Sequence, residues 1–373
     1  MKYFIIAGEA SGDLHASNLM KGIKHSDQEA SFRFLGGDLM KEVSPGGLLQ
    51  HYRNMNFMGL FSVIANLRTL ANILKNTKRE IKAFSPDSLI LVDYAGFNLR
   101  IAKFASKAGL KVFYYISPKV WAWKKGRIKL LSKYVDKLFV IFPFETKFFE
   151  ENNMQVEYHG NPLTDVIANF RKKSTGSVFK TEHGLDDRPV VALLAGSRKQ
   201  ELKHSLPVMK EVAKAFPSYQ FVVAGAPSCN PELYSSALEN TDIKLVFNAT
   251  YELLDIAYAG VITSGTATLE TALFNVPQVV IYKTGGLTYR IGKLFVNFKF
   301  FGLVNLVYED ELVKELLQNN LTKLTKIELA KLLSDTEYRN RIIEGYKEIQ
   351  QLIGKEGASQ RAADKMIELL SVK

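Results

Sequence analysis

Residues Val261 to Pro277 read VITSGTATLETALFNVP. An apolar run breaks at Ser264-Gly265-Thr266 and resumes with Leu269, Ala272 and Leu273, a spacing that suits a helix. The stretch therefore predicts strand, turn, helix. Such a turn gathers several backbone N–H groups and a helix N-terminus at one point, which favours an anion such as a diphosphate. Glu270 follows the first helical residues. Its two acceptor oxygens suit the paired hydroxyls of a ribose rather than a phosphate. The same residues also describe an ordinary helix start capped by Thr266, with Glu270 a solvated acid.

Outward from this stretch the same alternation recurs. Upstream come strand Val190 to Leu194, helix Leu202 to Ala215, strand Gln220 to Ala224, helix Glu232 to Glu239, strand Lys244 to Phe247 and helix Tyr251 to Tyr258. Strand Gln278 to Tyr282 follows, and helices Thr336 to Ile353 and Ala358 to Leu370 close the chain. An earlier series begins with strand Tyr3 to Ala7 and a helix from about Asp13. It continues through strand Phe32 to Leu35, a long helix Leu60 to Phe84, the apolar strand Leu89 to Val92, a helix from Leu99, and strand Lys111 to Ile116. Alternating strands and helices imply parallel sheets covered on both faces. At 373 residues the chain exceeds one typical core. The fold class expected is α/β, with two doubly wound, Rossmann-like domains facing a central cleft. The polar, broken stretch Gly160 to Arg188 predicts the linker. The expected domains are 1–165 and 166–345. Helices over 346–373 either pack back on the first domain or exchange between chains, which would make a homodimer.

Apolar content of 47% and charged content of 23% describe a globular chain. The single cysteine, Cys229, excludes an internal disulfide and fits a reducing compartment. The six histidines have no metal-ligand spacing, so neither a metal nor a cofactor is expected. The N-terminus is too short in apolar residues for a signal peptide, and no run approaches the ~18 apolar residues of a membrane span. A cytoplasmic protein is expected. Its formal charge is +11, and residues 1–165 hold 23 Lys/Arg against 15 Asp/Glu. That half is suited to something anionic.

Several short motifs carry candidate chemistry. Ala195-Gly196-Ser197-Arg198 ends a strand of the second domain, where Ser197 and the forked cation of Arg198 suit phosphate oxygens. A turn with a surface arginine explains it as well. Gly8-Glu9-Ala10-Ser11-Gly12-Asp13 is the corresponding loop of the first domain, and it is neither a dinucleotide fingerprint nor a Walker loop. Within it Asp13 reads as a helix N-cap and Glu9 as a contact to sugar hydroxyls. Asp93 ends the apolar strand, a place for a general base or a structural acid. On the helix to Phe84, Arg68, Lys75, Arg79 and Lys82 share one face and the apolar residues another. Trp121, Trp123, Lys124 and Lys125 form a second basic and aromatic patch, the composition of a membrane interface. Stacking on single-stranded nucleic acid would use similar residues, but no nucleic-acid module is recognisable.

Taken in order, these motifs resemble the lipid-A-disaccharide synthases, inverting glycosyltransferases of the GT-B type. The matching stretches are AGEASGD (Ala7 to Asp13), FMGLFSV (Phe57 to Val63), LVDYAGFN (Leu91 to Asn98), YISPKVWAW (Tyr115 to Trp123), FPFE (Phe142 to Glu145), GNPL (Gly160 to Leu163), LLAGSR (Leu193 to Arg198), SGTATLE (Ser264 to Glu270) and GLVNL (Gly302 to Leu306). The resemblance implies transfer of 2,3-diacylglucosamine from its UDP derivative to 2,3-diacylglucosamine 1-phosphate. The products are UDP and a β-1,6-linked disaccharide of lipid A biosynthesis. It implies Asp93 as the essential carboxylate, Arg198 at the diphosphate, Glu270 at the ribose and Asn305 at the nucleotide, beside Ser197, Ser264, Gly265 and Thr266, which the two loops already offer to it. Glu9, Ser11, Gly12 and Asp13 fall on the acceptor side. It also implies work without a metal and at the inner leaflet of the cytoplasmic membrane; no nucleic acid is expected as a partner. The chain departs from the family pattern at Gly96, where a second aspartate is common, at Asn161, where histidine is common, and at Ala195 and Val304, where prolines are common.

Two other readings share parts of this pattern. A non-hydrolysing UDP-sugar epimerase would keep the fold and the nucleotide half without a basic aromatic face. In a non-catalytic nucleotide- or lipid-binding protein, Asp93 would be merely structural.

Overall fold

The computed structural model describes residues 1–55, 67–118, 120, 126–172, 176–283 and 299–371. The chain divides into two compact units, Met1–Asp165 with Ile353–Lys373, and Val166–Leu352.

In the first unit β1 (Lys2–Ala7), α1 (Ala10–Ser26), β2 (Ser31–Gly36), α2 (Asp38–Val43), β3 (Leu48–His51), α3 (Leu67–Phe84) and β4 (Ser88–Val92) lead to α4 (Ala95–Lys107) and β5 (Lys111–Tyr115). Then come α5 (Gly126–Tyr134), β6 (Lys137–Val140), α6 (Pro143–Glu150) and β7 (Val156–Tyr158). The seven strands are parallel, in the order β3-β2-β1-β4-β5-β6-β7. Strand pleating sends alternate side chains to opposite faces. Phe4, Ile6, Leu89, Leu91, Val112 and Tyr114 pack with α3 to α6 on one side, and Tyr3, Ile5, Ile90, Val92, Phe113 and Tyr115 with α1 on the other. Both faces are covered, which is why the strands read as continuous apolar runs.

The division falls inside α7 (Leu163–Arg171), whose start belongs to the first unit, and the second unit continues through α8 (Gly176–Glu182), β8 (Val190–Leu194), α9 (Lys199–Ala213), β9 (Gln220–Gly225), α10 (Pro231–Leu238), β10 (Lys244–Phe247) and α11 (Thr250–Ile256). It closes with β11 (Ala257–Thr263), α12 (Thr266–Leu273), β12 (Gln278–Tyr282), α13 (Leu303–Tyr308), β13 (Glu315–Leu317), α14 (Leu321–Ser334) and α15 (Thr336–Ile353). Its six parallel strands run β10-β9-β8-β11-β12-β13. The α/β alternation expected from the sequence is the architecture found.

The final helix, α16 (Ala358–Ser371), returns to the first unit and packs Ala362, Ala363 and Met366 with Leu19, Met20 and Ile23 of α1. Its start is held by Asp165, whose carboxylate accepts from the N–H groups of Gly357, Ala358 (3.1 Å) and Ser359 (2.8 Å). These are first-turn donors without intrahelical partners.

Local differences from the sequence reading have physical causes. The stretch Gly160 to Arg188 is not an irregular linker: Leu163, Ile167 and Phe179 are buried, and α7 and α8 form around them. The elements α2, β3, β7, α13, β13 and α14 were not expected; three of them, β3, β7 and β13, are strands of four residues or fewer with half-buried side chains. Helix α15 runs unbroken through residue 346. The expected helix start at Leu60 lies outside the described residues.

Candidate active site

Strand order locates the site in each unit. In the first sheet β2 and β3 lie to one side of β1, and β4 with its successors to the other. Helix α1 leaves toward one face and α4 toward the opposite face. The loops after β1 and β4 therefore splay apart at a topological switch point, where open parallel sheets bind ligands. The first is Gly8-Glu9, leading into the first turn of α1, and the second is Asp93-Tyr94; both follow the paired residues Ala7 and Val92.

Asp93 and Tyr94 both have left-handed backbone, with φ of 44° and 45°. For non-glycine residues each costs on the order of 1–3 kcal/mol. The surroundings enforce it. The Asn98 side-chain amide donates to the carbonyls of Asp93 (2.9 Å) and Val92 (3.2 Å), and the buried Tyr114 hydroxyl also donates to the Asp93 carbonyl. The Tyr94 hydroxyl donates to the Met55 carbonyl at 2.7 Å. A Cβ on Gly8 would stand 2.3 Å from the Tyr94 ring, so only glycine admits that ring. Burial, then the Glu9 carboxylate, raises the Tyr94 phenol above its usual range. The Asp93 side chain itself is half-buried at the strand end.

The acceptor-side candidates separate by role. Glu9 is the partly exposed N-cap of α1 and Ser11 is exposed. Gly12 is buried against Ala7. Asp13 is not the cap of its own helix. It lies one turn inside α1, buried, and accepts from Gly37 (2.7 Å), Leu39 (3.1 Å) and Met40 (3.2 Å), the first-turn N–H groups of α2. Burial raises its carboxyl, and those three donors pull it back down.

The second sheet repeats the arrangement. Its order turns between β8 and β11, and Leu194 pairs with Ile262, so Ala195 to Arg198 and Ser264 to Thr266 end neighbouring strands. Gly196 has φ +103°, and a Cβ there would meet the Glu201 carboxylate at 2.5 Å. Glu201 accepts from the Ser197 (2.9 Å) and Arg198 (3.2 Å) backbone N–H groups and pairs with the exposed Arg198 guanidinium at 3.3 Å. Ser197 gives its carbonyl to the Ser228 hydroxyl. The Ser264 hydroxyl donates to the Phe301 carbonyl at 2.8 Å, and its N–H donates to Ile281. Beyond it Gly265 and Thr266 open the first turn of α12. Glu270, half-buried, accepts from the Tyr251 hydroxyl at 2.8 Å, and burial raises its carboxyl while that donor lowers it.

Asn305 stands differently from a ligand contact. It is fully buried; its amide nitrogen donates to Val313 (2.8 Å) and Glu315 (2.9 Å), and its oxygen accepts from Leu312 and Val313. Every donor and both lone pairs of the amide are used. Glu201, Tyr251 and Glu315 were not singled out in the sequence. Glu201 was legible, three residues past the N-cap, where a glutamate reaches back to backbone N–H groups. The other two are brought in by tertiary contact.

Among the described residues no helix is long and apolar enough to cross a membrane, and no three His, Cys, Asp or Glu are grouped as a metal would need. Arg68, Lys75, Arg79 and Lys82 are exposed on α3. Lys78 and Lys82 lie over the Phe104 ring of α4. A groove of about 430 Å³ between the two helices is lined by Leu74, Lys78, Arg100, Lys103, Phe104 and Lys107. Trp121, Trp123, Lys124 and Lys125 lie outside the described residues.

The family model for Lipid-A-disaccharide synthetase matches residues 3–368. The chain is 36% identical over 383 residues to the lipid-A-disaccharide synthase of Geobacter metallireducens, covering 100% of this chain and 98% of that one. It is also 36% identical over 364 residues to the enzyme of the same name from Coxiella burnetii, covering 96% of each. Among solved structures, a UDP-GlcNAc 2-epimerase from Methanocaldococcus jannaschii in complex with UDP-GlcNAc and UDP superposes with TM-score 0.70 at 13% identity, covering 99% of this chain and 100% of that one. A glycosyltransferase from Rickettsia africae gives 0.56 at 13%, covering 100% and 99%. At such identities the structural likeness, the epimerase included, is one of fold. The full-length sequence match goes further: the chain belongs to the lipid-A-disaccharide synthase family, the glycosyltransferases of lipid A biosynthesis.

Proposed function

We propose that the chain transfers 2,3-diacylglucosamine from UDP-2,3-diacylglucosamine to the 6-hydroxyl of 2,3-diacylglucosamine 1-phosphate in one inverting displacement. The observation that carries this reading is Asp93, held with Tyr94 in a strained conformation at the β1/β4 switch point. Asp93 takes the proton of the 6-hydroxyl as that oxygen attacks the anomeric carbon. The bond from that carbon to the diphosphate breaks and UDP leaves. Ser197, Arg198 and the N–H groups of Gly265 and Thr266 receive the diphosphate, a charge-stabilising role that needs no metal. Glu270 accepts from the ribose hydroxyls, and Glu9 and Ser11 face the acceptor.

Both substrates are lipids, and the first unit supplies a surface for an anionic bilayer. Helices α3 and α4, which share one face of the sheet, carry eight Lys and Arg against the single carboxylate of Glu80. Each cation near such a surface adds about 1 kcal/mol. The protein accordingly works in the cytoplasm, peripherally on the inner membrane. Its binding to phosphatidylglycerol vesicles, and not to phosphatidylcholine ones, is the expected flotation result.

The reaction is tested by incubating purified protein with both substrates and a chelator while following UDP and lipid mass. Acceptor-dependent UDP with a disaccharide product supports donor, acceptor and metal independence together. UDP without disaccharide means hydrolysis or epimerase-like chemistry, and no turnover with intact UDP binding means another acceptor.

A further inference from the structure

We propose that Glu315 is a positioning residue of the donor half, acting through Phe301 on the Ser264 loop; this rests on the nucleotide lying at the β8/β11 switch point. The chain of contacts is continuous. Glu315 begins β13, at the edge of the sheet beside β12. One carboxylate oxygen accepts from the Phe301 N–H at 2.6 Å, and the other from the Gly302 N–H at 3.0 Å and the Asn305 amide at 2.9 Å. The Phe301 carbonyl in turn accepts the Ser264 hydroxyl at 2.8 Å, and its ring stacks on Tyr282 at 6.2 Å. Three residues further along the chain, the Val304 N–H meets the Thr268 hydroxyl of α12 at 3.4 Å.

Three consequences follow from the donor and acceptor inventory. First, with its hydroxyl hydrogen given to Phe301, Ser264 has none left for a diphosphate. Its part is to tie the loop down, and the backbone N–H groups of Gly265 and Thr266 remain as donors to the anion. Second, Asn305, with all its capacity spent between residues 312 and 315, reaches the donor only by orienting Glu315. Third, one carboxylate serves two backbone N–H groups at once. A carboxamide has a single acceptor oxygen and must release one of them. The orientation of the anion-binding loop after β11 is thus set by a residue 51 positions away in the chain.

The test compares Glu315→Gln, Ser264→Ala, the double variant and Glu270→Ala for UDP affinity, for donor KM, acceptor KM and kcat, and for melting temperature. The expected result for Glu315→Gln is a roughly tenfold rise in UDP Kd and donor KM, with acceptor KM and kcat at saturating donor unchanged. Ser264→Ala reproduces part of that rise, and the double variant is no worse than Glu315→Gln, since both changes break one path. A merely structural Glu315 would lower melting temperature and active fraction while leaving donor KM alone, and that outcome overturns the proposal. Strictly multiplicative losses in the double variant overturn it as well. Should Glu315→Gln fail to fold, Ser264→Ala still decides: an unchanged donor KM there removes the path. If Glu270→Ala weakens UDP but Glu315→Gln and Ser264→Ala do not, only this inference fails. If none of them does, the placement of the nucleotide itself is wrong.

Discussion

The Asn98 amide donates to the Asp93 carbonyl over 2.9 Å, and so fixes a left-handed residue at the end of β4 from the first turn of the following helix. The same nitrogen reaches the Val92 carbonyl at 3.2 Å, and the Tyr114 hydroxyl reaches the Asp93 carbonyl from the adjacent strand. Asp93→Asn keeps this backbone and removes the proposed base, so kcat is expected to fall ~10²- to 10⁴-fold with UDP affinity unchanged. Asn98→Ala keeps the base and loosens its backbone, so a smaller fall of ~10- to 100-fold is expected. Single-turnover kinetics on both variants provide the check. Near wild-type chemistry in Asp93→Asn would falsify the assignment.

Glu270 ties the pH dependence of nucleotide binding to its environment. Burial raises its carboxyl above the usual glutamate range. In the proposed complex ribose hydroxyls donate to the charged form, so binding requires the proton to be absent. UDP affinity is therefore expected to weaken as pH falls, and to begin weakening at a higher pH than an ordinary glutamate would give. Glu270→Gln has a lower affinity at pH 7 and retains only the slope due to the nucleotide's own phosphate. Calorimetric titration at pH 5, 6 and 7 distinguishes these; parallel slopes in the two proteins would refute the linkage.

His15 makes the first unit acid-sensitive. It is buried in α1, and burial pushes its imidazole down to about 4, against a smaller upward pull from Asp165. A folded pKa below the unfolded one means the unfolded chain binds the extra proton first. Stability is fully present above about 6.5 and is lost as pH falls toward 4. The loss is on the order of 3 kcal/mol across that window. His15→Gln should flatten it. Urea midpoints at pH 7 and 4.5 report the difference, and an unchanged shift between them in the variant would remove His15 as the cause.

Gly8 is the space into which Tyr94 fits. A methyl group there overlaps the ring, so Gly8→Ala is expected to cost ~1–3 kcal/mol by overpacking and to displace Tyr94 from Met55. Pairing it with Tyr94→Leu relieves the overlap. Thermal melts showing Gly8→Ala/Tyr94→Leu no more stable than Gly8→Ala alone would place the strain elsewhere.

Much of this protein was legible in one dimension. Apolar runs such as Leu89 to Val92, too short for helices and followed by polar breaks, marked the central strands, because a strand buried on both faces has no polar side to show. The loops at Gly8, Asp93, Gly196 and Ser264 were legible for the same reason: strand, small residues, helix is a local pattern. What local pattern cannot contain is the partner of a polar side chain. Asp13 reads as the cap of its own helix and in fact holds α2, 24 residues away from its nearest contact at Gly37. Asn305 reads as a ligand contact and spends its amide on Val313 and Glu315. Short strands such as Glu315–Leu317 carry too few residues for a period to show. By itself the sequence determined the α/β alternation, the family and the loops that end the central strands. The tertiary structure decided which polar groups are free to meet a ligand and which only hold the scaffold, because that depends on hydrogen-bond partners distant in the chain that only the packed sheets bring within reach.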